Sequence, residues 1–455
     1  KDRARAAGTF KVDQSQVDTW DPTAEAQTRE GQPIDFVGYD TLAVDDARIL
    51  KTRQVGEGDD ARFELVLDKT PFYAESGGQV GDTGTLSVGG EAIRVLDTVK
   101  DAEGTIVHVV EKLPEDRDAA VEAAVDAARR AHIVRHHTAT HLLHAALRET
   151  LGPHVTQKGS LVAPDRLRFD FSHFERVEPE TLRAIERRVN ALVLQNIPKG
   201  EERAVPIEEA RERGAMMLFG EKYGDAVRVI TFDPDVSVEL CGGTHVGATG
   251  EIGPFRFVSE GSVASGIRRV EAVAGEAALA LVDRAFDELE RTRGRFKQVP
   301  GTLEEAVAAL QDEHKALQTA LDDLRRQQAA AGLDAYLQER QDVDGVTLVT
   351  GAVEGADMDT LRDLAEEARE RLSEGAVVVF GAADPEAGKA YLAAAVTDDL
   401  VQQGVQAGTL VGALAKRVGG GGGGRPHLAT AGGRQPENLG DALAAAAEAL
   451  RDLRG

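Results

Sequence analysis

The sequence predicts a mixed α+β protein of several parts, and three features predict it. Apolar residues alternate at every second position early in the chain. Ala- and Leu-rich stretches with helical spacing follow, mixed with further strand-like runs. A long segment almost free of Gly and Pro then precedes a closing region where strands and helices alternate. In order, these give a polar tail at 1–33, a small β-barrel or curled sheet at 34–113 and an α+β domain at 114–275. A helical coiled-coil hairpin at 276–342 and a C-terminal α/β globular domain at 343–455 complete the chain. A length of 455 residues accommodates about three domains of ordinary size.

The first part reads as β-structure. Phe63, Leu65 and Leu67 recur with the period of a strand, and Val66 between them implies that the other face is partly covered. Runs at 85–88 and 91–96 flank Gly89 and Gly90, the pattern of a tight hairpin, and 105–110 is another strand. From 118 to 150 the Ala-rich texture predicts helix. Beyond it, 180–194 and 207–213 read as helices and 166–171, 226–232 and 267–273 as strands.

Residues 302–305, Thr-Leu-Glu-Glu, form a capping-box start. Leu303, Val307, Leu310, His314, Leu317, Leu321 and Leu324 follow at spacings of three and four, a heptad seam. Paired with a helix around 276–297, it predicts an antiparallel hairpin, with His314 read as a hydrogen-bonded interruption of the stripe. In the last part, 346–349, 376–380 and 391–396 are strand candidates. Helices around 358–373, 408–417 and 437–453 alternate with them, and six glycines at 419–424 read as a loop between the last two.

Composition excludes several classes. Asp and Glu exceed Lys and Arg, 78 to 53, giving a formal charge of −25, so no general basic coat grips nucleic acid. Contact with RNA must be local. A single cysteine rules out an internal disulfide and fits a reducing, cytoplasmic setting. No run of ~18 apolar residues predicts a membrane span, and the charged start lacks the apolar core of a signal peptide. That start reads as the end of a polar helix, so the chain is expected to be a fragment.

Chemistry concentrates in two short segments. His137 and His141 share one helix face at i and i+4. About a hundred residues later stands Cys241-Gly-Gly-Thr-His245, whose glycines let the backbone turn so that thiolate and imidazole converge. Either pair alone is a weak signal. Together, with the chain's one cysteine, they form a His/His/Cys/His set suited to tetrahedral zinc. Four protein ligands leave no open position, which argues for a structural or substrate-positioning ion. Thr138 follows His137, so this is not the HExxH arrangement. No GxxxxGK[ST] loop is present, so ATP is not expected to bind this segment.

The segments RHHTATHLLH at 135–144 and CGGTH at 241–245 closely resemble the editing domain of the alanyl-tRNA synthetase family, also found in free-standing deacylases. TPFYAESGGQVGD at 70–82, QKGS at 157–160 and GIRRVE at 266–271 are similar to further family segments, and 418–433 resembles its glycine-rich C-terminal motif. The likeness covers 35–455 in the family's order, and 1–30 resembles the tail of the preceding tRNA-recognition domain.

The resemblance implies hydrolysis of mischarged Ser-tRNA-Ala and Gly-tRNA-Ala. An activation pocket rejects a smaller or near-isosteric side chain by only ~1–3 kcal/mol, which makes a second sieve necessary. It implies zinc held by His137, His141, Cys241 and His245, with Gln157 lining the pocket and Thr140 and Ser160 offering hydroxyls to a seryl group. Arg268 would face the terminal adenosine or phosphate, unless it pairs with Glu271 or Glu239. Lys416, Arg417, Arg425, Gly422 and Gly423 would contact tRNA in a domain that also dimerises some members. Residues 411–455 hold six basic against four acidic groups, a local excess of positive charge. Gly421 stands where relatives usually carry lysine. The aminoacylation site is expected upstream. Two other readings remain: a free-standing trans-editing deacylase, and a non-catalytic zinc-stabilised RNA-binding module.

Overall fold

The computed structural model describes residues 19–29, 32–58, 61–217, 224–296 and 301–454. The polar-helix reading of the first residues lies outside them. The chain forms two compact units that divide between Thr292 and Arg293.

The first unit opens with an eight-stranded sheet. In chain order it uses β1 (Asp21–Pro22), β3 (Ala43–Ala47), β4 (Ile49–Val55), β5 (Arg62–Leu67), β7 (Gly84–Val88), β8 (Glu91–Lys100), β9 (Ile106–Val110) and β10 (Val121–Val125). The short strands β2 (Asp35–Phe36) and β6 (Lys69–Thr70) pair separately. The strand order β1-β4-β5-β9-β8-β7-β10-β3 has two free ends, so the sheet is open and the expected barrel is not closed. Leu65, Leu67, Phe72, Leu86 and Ile93 are fully buried in its core. Each such side chain contributes about 1.5–3 kcal/mol. Val66 is buried too, as a strand covered on both faces requires. Gly89 and Gly90 have φ of 59° and 88°, the left-handed pair that a two-residue hairpin turn needs.

The structure corrects one reading here. Residues 121–125 are strand, not helix: Val121, Ala123 and Val125 point inward and Glu122 and Ala124 outward. Alanine's helix propensity is worth a few tenths of a kcal/mol per residue and loses to the pairing of β10 with both β7 and β3. Helix starts only after Asp126, whose carboxylate accepts the Arg129 N–H as a cap.

That helix is α2 (Ala127–Leu151), numbered after the short α1 (Ala24–Thr28). It packs with α3 (Pro179–Leu194) over a four-stranded sheet of β11 (Gln157–Val162), β12 (Leu167–Ser172), β16 (Phe255–Ala264) and β17 (Ile267–Ala274). A three-stranded sheet of β13 (Gly200–Pro206), β14 (Ala226–Phe232) and β15 (Ser237–Leu240) adjoins them, with α4 (Ile207–Glu212) on it. Phe169, Phe171, Phe232 and Phe255 fill the shared core with Leu142, Leu143 and Leu147. Helix α5 (Glu276–Arg293) leaves this unit with Leu279, Phe286 and Leu289 exposed.

The second unit begins with α6 (Leu303–Gln338), started by the expected Thr302/Glu305 capping box. Its predicted seam faces solvent: Val307, Leu310, Leu317, Leu321 and Leu324 are 41–63% exposed, and His314 is exposed as well. Heptad spacing specifies an apolar stripe and says nothing of what covers it. Ala306, Ala329 and Leu333 are its buried residues.

A six-stranded sheet follows, of β18 (Gln341–Val343), β19 (Val346–Ala352), β20 (Ala376–Asp384), β21 (Lys389–Val396), β22 (Gly421–Gly424) and β23 (Leu428–Gly433). Its order is β18-β19-β20-β21-β23-β22, with β19 and β20 parallel. One face packs on α7 (Met358–Leu372). The other packs on α9 (Ala407–Ala415), with α8 (Asp398–Gln402), α10 (Leu439–Ala444) and α11 (Ala446–Asp452) beside it. Four of the six glycines, 421–424, therefore form an edge strand rather than a loop. Gly422 and Gly424 lie flat on Ala429 and Ala431, where a side chain would overlap the neighbouring strand, while Gly421 and Gly423 face open space. Among the described residues no helix is long and apolar enough to cross a membrane.

Candidate metal centre and substrate pocket

Two arms of the first unit build the site. Helix α2 carries His137 and His141 one turn apart on a buried face. The other arm leaves β15 at Leu240 and turns through Cys241, Gly242, Gly243, Thr244 and His245. Arg228, a charged residue within the apolar strand β14, holds that turn. Its Nη1 donates to the Cys241 and Gly243 carbonyls at 3.0 and 2.6 Å, and its Nε donates to Glu201 at 3.0 Å. The Tyr39 ring covers the guanidinium at 3.9 Å, and the Tyr39 hydroxyl donates to the Gly242 carbonyl at 2.6 Å. Burial raises the Tyr39 pKa, so this hydroxyl stays a donor. Burial alone would raise Glu201, but hydrogen bonds from Arg228, Lys199 and Arg203 hold it ionised, far below the usual carboxylate range.

The two arms converge. His137, His141, Cys241 and His245 present ligand atoms all within 4.8 Å of one another. Cys241 Sγ lies 3.4 Å from His137 Nε2 and 3.3 Å from His245 Nε2. Bonds of ~2.3 Å to sulfur and ~2.0 Å to nitrogen at a tetrahedral angle set donors ~3.5 Å apart, so the spacing fits a zinc-sized ion. Neither ring nitrogen of His141 makes a hydrogen bond among the described residues: Nδ1 is buried without a partner, and Nε2 lies 3.6 Å from Glu239. Burial lowers the pKa of His137, His141 and His245, and crowding by neighbouring imidazoles and Arg228 lowers them further, so each keeps a lone pair. The donor set thus fits a metal by type, distance and protonation.

The other two histidines of the same stretch have different work. His136 turns away, its Nδ1 facing the Ala163 carbonyl at 2.9 Å and its Nε2 accepting the Ala274 N–H at 3.0 Å. His144 lies 3.7 Å from Glu239. Burial raises the Glu239 carboxyl, but His141, His144 and Ser237 more than offset this and keep it below the ordinary range.

Beside the four donors lies a cavity of about 80 Å³. Thr140, Gln157 and Ser160 all line it, as expected, together with Tyr73, Ser76 and Glu239. Ser160 Oγ accepts from Gln157 Nε2 at 3.1 Å and lies 3.3 Å from the Gly77 carbonyl. Thr140 Oγ1 donates back to the His136 carbonyl at 2.8 Å, leaving its lone pairs for a ligand. The glycine-rich segment forms one wall because Gly78 and Val80 bond Val162 of β11 at 2.7 and 3.1 Å. A side chain at Gly78 would overlap Ser160.

Arg268 does not line the cavity. It pairs with Glu260 across the β16–β17 hairpin, its Nε 2.6 Å from the carboxylate, rather than with Glu271 or Glu239. Antiparallel register brings these two together, and sequence spacing does not reveal register. In the second unit, Lys416 and Arg425 are exposed and Arg417 lies 3.5 Å from Glu448. Sequence reasoning passed over Gln79, Arg228, Tyr39, Thr244, Tyr73 and Ser76. A charged residue inside an apolar strand was the one readable signal, and it pointed to Arg228.

Family models place this geometry among known proteins. The threonyl and alanyl tRNA synthetase second additional domain matches residues 227–271, the DHHA1 domain matches 345–452, and class II (A) tRNA synthetases match 1–129. The alanine–tRNA ligase of Salinibacter ruber is 57% identical over 99% of this chain and 46% of its own length. That of Bacteroides fragilis is 45% identical over 92% of this chain and 47% of its own. The chain belongs to the alanine–tRNA ligase family.

It spans about half the length of the ligases it matches. The class II match runs through the eight-stranded sheet to residue 129. The C-Ala domain of Aquifex aeolicus alanyl-tRNA synthetase is 28% identical over 26% of this chain and 99% of that domain, at a TM-score of 0.23.

Proposed function

We propose that this chain is the proofreading and tRNA-binding portion of an alanine–tRNA ligase. It would hydrolyse Ser-tRNA-Ala and Gly-tRNA-Ala at the 3′-terminal ester and hold tRNA through its C-terminal domain. The observation that carries this is the convergence of four donors from α2 and the CGGTH turn beside a small cavity lined by hydroxyls and an amide.

His137, His141, Cys241 and His245 would hold zinc. When bound, the ion would supply positive charge to orient the amino group or the attacking water. The chain's own residues supply selectivity. The cavity admits a small aminoacyl group, and alanine is smaller than serine, so size alone cannot spare the correct product. Thr140 and Ser160 are placed to hydrogen-bond a seryl hydroxyl. A glycyl group leaves room for a water to satisfy the same oxygens. An alanyl methyl displaces that water and replaces none of its bonds, at a cost of about 1–3 kcal/mol per group left unpaired. Gln157, bonded to Ser160, fixes the orientation of this wall. Lys416, Arg425, Gly422 and Gly423 would meet tRNA backbone in the second unit, with dimerisation as a further role of that domain and the cytoplasm as its setting.

The test is single-turnover release of serine from Ser-tRNA-Ala by the chain, by Cys241→Ala and by Gln157→His, with Ala-tRNA-Ala as the control ester. Fast release by the wild type alone, sparing Ala-tRNA-Ala, is expected. Background release by all three would instead favour a zinc-stabilised RNA-binding module.

A further inference from the structure

We infer that Gln79 is a positioning residue for the metal centre: its amide oxygen holds the His137 proton on Nδ1 and thereby aims the Nε2 lone pair at the ion site. This rests on the proposal that the four donors hold a metal.

The assignment follows from one unambiguous donor. The Thr244 backbone N–H can only donate, and it lies 3.0 Å from Gln79 Oε1. That fixes which end of the amide is oxygen, an orientation otherwise open to a flip. Gln79 Nε2 then faces Thr244 Oγ1 at 2.9 Å. His137 Nδ1 lies 2.6 Å from the same Oε1, which has no proton to give, so Nδ1 must carry one. A neutral imidazole has a single N–H, so Nε2 is left with its lone pair, 3.4 Å from Cys241 Sγ. The other tautomer would put a proton where the ion binds and leave Oε1 without its shortest bond.

The amide is held firmly enough to do this. Gln79 is fully buried. Its backbone N–H and carbonyl both bond Ser76, at 3.0 and 3.1 Å, and its neighbours on either side bond Val162. It touches both arms of the site at once, His137 on α2 and Thr244 in the CGGTH turn. Gly243 makes room for this contact, since a side chain there would overlap the His137 ring and approach Oε1. The glycine-rich 70–82 segment therefore delivers a side chain to the metal centre as well as a wall to the cavity.

Two readouts test this on the whole chain: zinc affinity by chelator competition, and the His137 ring tautomer by long-range ¹H–¹⁵N spectra of the metal-free protein. Gln79→Leu keeps the bulk but removes the acceptor. It is expected to weaken zinc by about 10–100-fold, the usual cost of losing such a partner, and to let the Nε2–H tautomer appear. Gln79→Glu keeps an acceptor of the same length and is expected to preserve the Nδ1–H tautomer and wild-type affinity. A residue that merely filled space would be better replaced by Leu than by Glu, the opposite ranking. Unchanged affinity and an unchanged tautomer in Gln79→Leu would overturn the inference. If that variant does not fold, Gln79→Glu decides alone, and a tenfold weaker site or a shifted tautomer would overturn it. Wild-type chain that binds no zinc would refute the metal reading, while the metal-free tautomer still judges Gln79.

Discussion

At the scale of single residues, the site is set by side chains that are small, or absent, where two segments meet. Gly243 lies against the His137 ring, and a methyl there would overlap it. Gly243→Ala is therefore expected to abolish stoichiometric zinc binding while the rest of the first unit stays folded, which elemental analysis and circular dichroism check together. Ser160 argues the selectivity. Its hydroxyl accepts from Gln157 and faces the cavity, so Ser160→Ala removes one partner for a seryl hydroxyl. One neutral hydrogen bond contributes about 0.5–1.5 kcal/mol, so release of serine from Ser-tRNA-Ala is expected to slow by up to about tenfold. Gly-tRNA-Ala has no hydroxyl to recognise, and its hydrolysis is expected to change less. Equal slowing of both would mean that Ser160 shapes the cavity without reading the side chain.

At the scale of elements, the glycine run is the sharpest case. As β22 it is an exposed edge strand in which alternate residues differ: Gly422 is pressed on Ala431 and Thr430, and Gly421 opens outward. A lysine at 421 adds a cation to a basic neighbourhood at no steric cost. Gly421→Lys is expected to leave the melting temperature unchanged and to strengthen tRNA binding, steepening its salt dependence by about one phosphate contact. Gly422→Lys is expected to lower the melting temperature by several degrees. Identical behaviour of the two would show that the strand does not form. Sequence pattern foresaw much at this scale and failed in definable ways. Strands β5, β7, β14 and β17 and helices α3 and α7 follow their periodicity closely. The donors in RHHTATH and CGGTH were legible because metal chemistry restricts which residue types can serve. β10 was hidden by alanine, whose helix preference masks the inward–outward alternation of the strand, and β22 by glycine, which carries no periodicity. The contacts of Gln79 and Arg268 were not legible for a third reason: their partners are set by pairings across the fold, which spacing along the chain does not encode.

At the scale of the whole molecule, the charge of −25 shrinks as pH falls towards the sequence pI of about 4.9, so self-repulsion eases over that range and stability lost within it comes from groups that bind protons more readily in the unfolded chain. His108 is the clearest. It is fully buried in the eight-stranded sheet, edge-on to Phe72, with Nε2 2.7 Å from Thr70 Oγ1 and Nδ1 3.3 Å from the Leu65 carbonyl. Burial lowers its pKa from 6.5 to about 4, against a smaller opposing effect of the Leu65 carbonyl. The folded state therefore binds this proton less readily than the unfolded chain. The stability it confers is fully present above pH 6.5, and it is lost as pH falls towards 4. The full difference is worth about 3 kcal/mol. Denaturant unfolding of the first unit, followed through Trp20 fluorescence, is expected to show stability falling across that window. In His108→Gln the curve is expected to start lower, because the packing against Phe72 is imperfect, and to run flatter by about that amount. Parallel curves for the two proteins would place the acid-sensitive group elsewhere in the fold.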